Sequence, residues 1–172
     1  MILKSNIFFV GPMGAGKTTV GRILSEQLST EFFDTDQEIE SRTGADIPWI
    51  FDVEGESGFR DREAVVIDEL TLMRGVVLAT GGGAVLRDEN RKHLVSRGFV
   101  VYLKASLDDL LARTSRDKRR PLLQSPDRRK VLGDIMAARG PLYEEVADLT
   151  IITGKNSAKD VVAEILHQMS QA

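Results

Sequence analysis

Residues 11–19, GPMGAGKTT, space two glycines, a lysine and a hydroxyl in the pattern G-x-x-x-x-G-K-[ST]. Gly11, Gly14 and Gly16 let the chain curl so that backbone N–H groups point inward at an anion, and the positive end of the following helix faces the same point. Lys17 is then placed to reach the outer phosphates and the Thr18 hydroxyl to hold Mg2+. Gly14, Ala15, Gly16, Lys17, Thr18 and Thr19 are therefore the candidate cradle for a nucleoside triphosphate, with Thr18 the candidate direct metal ligand.

Three further polar groups suit a second substrate. In FFDTD, residues 32–36, an extended backbone puts Asp34 and Asp36 on one face. One carboxylate suits ordering the waters of a bound Mg2+, and the other suits accepting the proton of a hydroxyl. Asp36 also precedes the helical QEIESR and fits an N-cap there; the two roles are compatible. In ATGGG, Gly81, Gly82 and Gly83 admit a small ligand close to the backbone amides, although a bare glycine turn gives the same letters. GFRDRE and ARGPLY supply Arg60, Arg62 and Arg139. A guanidinium fork fits a carboxylate, but Arg60 or Arg62 paired with Asp61 or Glu63 is the competing reading.

These groups need a scaffold that brings them together. Short apolar runs at 7–10, 31–33, 76–79, 99–103 and 149–152 are separated by segments long enough for helices. VVLAT and FVVYL do not alternate with polar residues, as expected of strands buried on both faces of a parallel sheet. Helices are expected over 88–96, 106–113, 128–139 and 157–168, and after the phosphate loop, where Val20, Ile23, Leu24 and Leu28 recur at helical spacing. The fold class is α/β, a three-layer arrangement around a five-stranded parallel sheet. Residues 46–73 read as two extra helices, with Val66, Leu70 and Met73 on one face of the second. The one tryptophan, Trp49, reads as a packing anchor of that insertion. Residues 114–127, rich in Arg, Ser and Pro, read as a mobile basic lid. In open parallel sheets ligands bind beyond the carboxyl ends of the strands, which is where the polar groups fall.

A chain of 172 residues suits one domain, 1–172. No run is long enough to span a membrane and the N-terminus has no apolar signal core, so a cytoplasmic protein without membrane association is expected. With no cysteine a thiolate centre is excluded, and two distant histidines argue against a zinc site. Net charge is −3, yet residues 113–139 carry nine Lys/Arg against three acids, a local +6. No aromatic residues interleave with that charge, so it reads as an anion-gathering rim rather than a nucleic-acid surface.

GPMGAGKTT, DTD, GFRDRE, ATGGG, RRPLL and ARGPLYEE, in this order and at these separations, resemble the shikimate kinase family along almost the whole chain. The resemblance implies the P-loop kinase fold of the nucleoside monophosphate kinases, with a substrate-binding insertion at about 34–62 and the lid. It implies transfer of the ATP γ-phosphoryl group to the 3-hydroxyl of shikimate, with Mg2+, in aromatic amino acid biosynthesis, by a monomer. On the family pattern, Asp36 binds the substrate hydroxyls and acts as base, Asp34 lies near the metal and touches it through water, and Arg60 and Arg139 grip the carboxylate. Gly82 gives its N–H to substrate between Gly81 and Gly83, and Lys17 and Arg120 offset the transferring charge. Arg113 stacks on adenine, and Asn156, in ITGKNSAKD, contacts the base. A gluconate kinase would share loop, sheet and lid, but the two arginines with ATGGG argue against it; a GTPase switch would need an [NT]-K-x-D motif that this sequence lacks.

Overall fold

The computed structural model describes residues 5–115 and 127–171. The five apolar runs form parallel strands β1 (Asn6–Val10), β2 (Glu31–Asp34), β3 (Val76–Ala79), β4 (Gly98–Lys104) and β5 (Leu149–Ile152), paired in the order β2-β3-β1-β4-β5. The phosphate loop thus leaves the central strand, whose Phe8 lies opposite Leu78 on one side and Val100 on the other. Around the sheet run α1 (Lys17–Leu28), α2 (Thr35–Thr43), α3 (Ile47–Thr71), α4 (Asp88–Arg97), α5 (Leu107–Thr114), α6 (Arg128–Val146) and α7 (Ala158–Gln171).

Successive side chains of a strand point to opposite faces, and here both faces are covered. Ile7 and Phe9 pack with Leu24 of α1, Leu110 of α5 and Ile165 of α7, while Phe8 and Val10 pack with Ile39 of α2, Val66 of α3, Leu94 of α4 and Tyr143 of α6. Phe8 and Phe9 are wholly buried, each worth roughly 1.5–3 kcal/mol. Val66 and Leu70 belong to the second core and Met73 packs against it, as their spacing predicts.

Four local expectations change. The N-cap of α2 is Asp34, whose carboxylate accepts from the Gln37 N–H; Asp36 sits in the first turn. β2 stays paired through Asp34 opposite Ala79, so the helix starts two residues earlier than an Asp36 cap requires. The insertion is one hydrogen-bonded run broken at Gly55, whose φ of 74° interrupts the helix, so the two expected helices join at a kink. α6 does not stop at Arg139 but continues past Pro141 to Val146. The proline forfeits one hydrogen bond, and burial of Tyr143 and Val146 offsets that loss. Trp49 is no anchor: it is 54% exposed, while Ile47 and Ile50 beside it turn inward. Most of the expected lid, with Arg120, lies outside the described residues. Among the described residues no helix is long and apolar enough to cross a membrane.

Candidate active site

The phosphate loop follows from three left-handed or extended glycines, Gly11, Gly14 and Gly16, with φ of 145°, 84° and 95°. At Gly11 a Cβ would lie 2.5 Å from the Leu103 carbonyl oxygen, so the loop can pass beside β4 only without a side chain. Lys17, buried at the first position of α1, donates to the carbonyls of Gly11 and Pro12 and is held folded over the loop. The Thr18 hydroxyl donates to Asp34 Oδ2 at 2.5 Å, which ties the loop to the end of β2. Arg113 donates to the carbonyls of Gly14 and Gly154 and to the Thr153 hydroxyl, bridging the phosphate loop and the β5–α7 connection. These elements wall a cleft of about 620 Å3 lined by Lys17, Thr18, Asp34, Asp36 and Arg113. Asn156 is exposed in the β5–α7 connection and does not line this cleft.

A second cleft, of about 390 Å3, opens beside the first. Ile47, Phe51 and Phe59 make its apolar wall; Asp36, Arg60, Glu63 and Arg139 supply its charge. Arg60 and Arg139 are only 8% and 5% exposed, so a carboxylate meeting them would be drawn out of water. Arg60 donates to Glu63 Oε1 at 2.9 Å and lies over the Phe59 ring. Arg62 points away: it forms a two-pronged pair with exposed Glu54 at 2.6 and 2.9 Å and belongs to neither cleft. Asp61 likewise pairs outward, with Arg87.

The Gly81–Gly83 turn is more than a bare turn because charged groups rest on its α-carbons. A Cβ at Gly81 would lie 2.8 Å from Asp36 Oδ1 and 3.0 Å from Glu63 Oε2; one at Gly82 would lie 3.4 Å from Arg139; one at Gly83 would run into the Arg60 guanidinium. The turn is also pinned. Thr35 Oγ1 accepts from the Gly81 N–H, Tyr143 donates its phenol to the Gly82 carbonyl at 2.5 Å, and Thr80 donates to the Phe9 carbonyl. Met13, Asp36, Gly81 and Gly82 line both clefts, so Asp36 stands where they meet.

Burial acts on two groups that sequence reasoning did not place in the site. Glu63 is fully buried, and desolvation, with the Asp36 charge adding to it and Arg60 opposing, pushes its carboxyl up to about 7. Tyr143 is buried too, and desolvation holds its phenol protonated well above the usual range. Both residues sit inside quoted motifs, GFRDRE and ARGPLYEE; what the letters did not show was which side of α3 and α6 faces the cleft.

Among the described residues no three His, Cys, Asp or Glu cluster as a metal centre. The Thr18 hydroxyl and the Asp34 carboxylate are hard oxygen donors beside the phosphate loop, a set that fits Mg2+ carried mainly by phosphate oxygens and water.

A phosphate loop on the central strand of a 2-3-1-4-5 parallel sheet, with a second charged cleft beside it, defines a P-loop kinase. A family model described as shikimate kinase matches residues 13–170. Shikimate kinase of Shewanella woodyi is 58% identical over 169 residues, covering 98% of this chain and 99% of that protein. Shikimate kinase 1 of Citrobacter koseri is 59% identical over 170 residues, covering 98% of each. Among solved structures, shikimate kinase from Acinetobacter baumannii in complex with shikimate superimposes with a TM-score of 0.96 at 54% identity, covering 97% of this chain and 93% of that one. The chain belongs to the shikimate kinase family.

Proposed function

We propose that the chain transfers the γ-phosphoryl group of ATP to the 3-hydroxyl of shikimate, giving shikimate 3-phosphate and ADP, on the route to chorismate and the aromatic amino acids. The observation that carries this reading is the junction of the two clefts at Asp36. A phosphate cradle opens on one side of that carboxylate, and on the other lies a small pocket with two buried arginines, the size and charge that suit a ring acid such as the one bound by the Acinetobacter relative.

Each residue then has a task. Arg60 and Arg139 fork the substrate carboxylate, and Phe51 and Phe59 back the ring. With the carboxylate fixed at that end, a hydroxyl on the opposite side faces Asp36, which accepts its proton as the oxygen attacks phosphorus. The Gly82 N–H, in the turn held by Thr35 and Tyr143, donates to the bound substrate. The phosphate loop from Gly14 to Thr19 holds the ATP phosphates, and Lys17 leaves its loop carbonyls to neutralise their outer oxygens. Thr18 would hold Mg2+ directly and Asp34 would order its waters, and the ion would supply positive charge beside the transferring phosphates. Arg113 borders the adenine, with Asn156 near the base, and Arg120 completes the neutralisation from the lid. The same reading makes residues 1–172 one domain with insertion and lid, working as a cytoplasmic monomer.

ADP release measured with shikimate, gluconate, nucleoside monophosphates and no acceptor tests it. Turnover should depend on shikimate, because only a ring carboxylate satisfies both arginines. Comparable turnover with gluconate, or turnover without an acceptor, overturns the assignment.

A further inference from the structure

Among the described residues, buried charges of both signs line the substrate cleft before any substrate arrives. Arg60 and Arg139 bring two positive charges; Asp36 and Glu63, if both ionised, bring two negative ones. Among the described residues, the charged and titratable groups facing Glu63 belong to this set or its surroundings. Arg60, and its second partner Glu56, stand on α3, Asp36 on α2, and Arg139 and Tyr143 on α6, while the Gly81–Gly83 turn adds no charge. Glu56 is half exposed, and water screens its contribution. An anionic substrate entering such a pocket adds a negative charge beside fully buried Glu63, where an uncompensated charge is costly.

One atom is placed to offset that charge. Glu63 is fully buried, its Oε1 accepts from Arg60, and its Oε2 has no hydrogen-bond partner. Oε2 lies against the α-carbon of Gly81 on the spot that Asp36 Oδ1 also approaches, so two acidic oxygens converge there. A proton on Oε2 would supply the missing donor without disturbing the Arg60 contact on Oε1.

We infer that Glu63 takes up a proton from solvent when the substrate carboxylate binds, so that shikimate binding is coupled to proton uptake at this residue. The inference rests on the reading that Arg60 and Arg139 receive a carboxylate. Binding adds one negative charge and the proton offsets it, so the net charge of the pocket is unchanged. The carboxyl already lies near the point of balance in the empty pocket, pushed up to about 7 by burial, and an added anion pushes it further in the same direction. By linkage, affinity is insensitive to pH below that point and falls as pH rises above it, until the bound form also loses its proton. Glu63→Gln keeps the oxygen that Arg60 needs and removes the titration.

The test is calorimetric titration of the full chain with shikimate, without nucleotide, in two buffers of different ionisation heat from about pH 6 to about pH 9. The wild type should take up close to one proton at about pH 8, and its Kd should rise by up to roughly tenfold per pH unit above about pH 7. Glu63→Gln should take up none and hold a flat Kd. Shikimate binding without proton uptake in the wild type overturns the inference alone, and needs no variant. Uptake that persists in Glu63→Gln also overturns it. Failure of shikimate to bind at any pH overturns the carboxylate reading of the pocket, and the inference falls with it.

Discussion

At Glu63 the pH dependence of folding and the electrostatics of the site meet. Its carboxyl is held at about 7 in the folded chain against an ordinary value of 4.5, chiefly by burial. The folded value is the higher one, so the native state keeps a proton that the unfolded chain has lost. The resulting stability is fully present below about pH 4.5 and is lost as pH rises through about 7, a fall on the order of 3 kcal/mol. Urea unfolding across this window should show that fall in the wild type and a flatter curve in Glu63→Gln; parallel curves would mean that Glu63 is ionised throughout. Arg139, equally hidden, should act on binding rather than chemistry. Arg139→Ala is expected to weaken shikimate binding by about 2–5 kcal/mol, seen as a rise in KM of roughly 30-fold or more, with the KM for ATP little changed. A shikimate KM close to that of the wild type would remove Arg139 from the carboxylate site.

Among the elements, the turn from Thr80 to Gly83 coordinates the site. It leaves the end of β3, is pinned by Thr35 and Tyr143, and carries Asp36, Glu63, Arg139 and Arg60 directly over its α-carbons. Gly83 has a φ of −95°, which alanine adopts freely, so Gly83→Ala should leave the backbone unstrained and act only by displacing Arg60. Its expected signature is a shikimate KM raised by about tenfold or more with a melting temperature within a few degrees of the wild type. An unchanged KM would show that Arg60 has room to move without leaving the substrate. α3 shows how an element can be legible while its orientation is not. The spacing of Val66 and Leu70 gives the buried face of its second half, but the kink at Gly55 re-aims the first half, leaving Trp49 outward and setting Ile47 and Phe51 on the cleft. Size and apolarity alone misplace Trp49.

In the whole molecule, the parallel sheet gathers at one edge what the sequence scatters over more than a hundred residues, from Gly11 to Arg139. Strand runs, phosphate loop and motif arginines were legible because each is written in local spacing: consecutive apolar letters, glycines at fixed offsets, arginines in recurrent contexts. What was not legible depends on contacts distant in sequence. Asp34 rather than Asp36 caps α2 because β2 pairs with β3 through Asp34, and α6 crosses Pro141 because Tyr143 and Val146 find a core there. Glu63 joins the cleft only when α3 is laid against Gly81. Phosphoryl transfer is expected where the two clefts meet, with Asp36 taking the proton. Asp36→Asn tests it most directly, since it keeps the size of the side chain while removing its charge and basicity. Steady-state kinetics should show kcat lowered on the order of 10²-fold or more with the KM for ATP close to that of the wild type. A near-normal kcat in Asp36→Asn would mean that Asp36 does not take the proton.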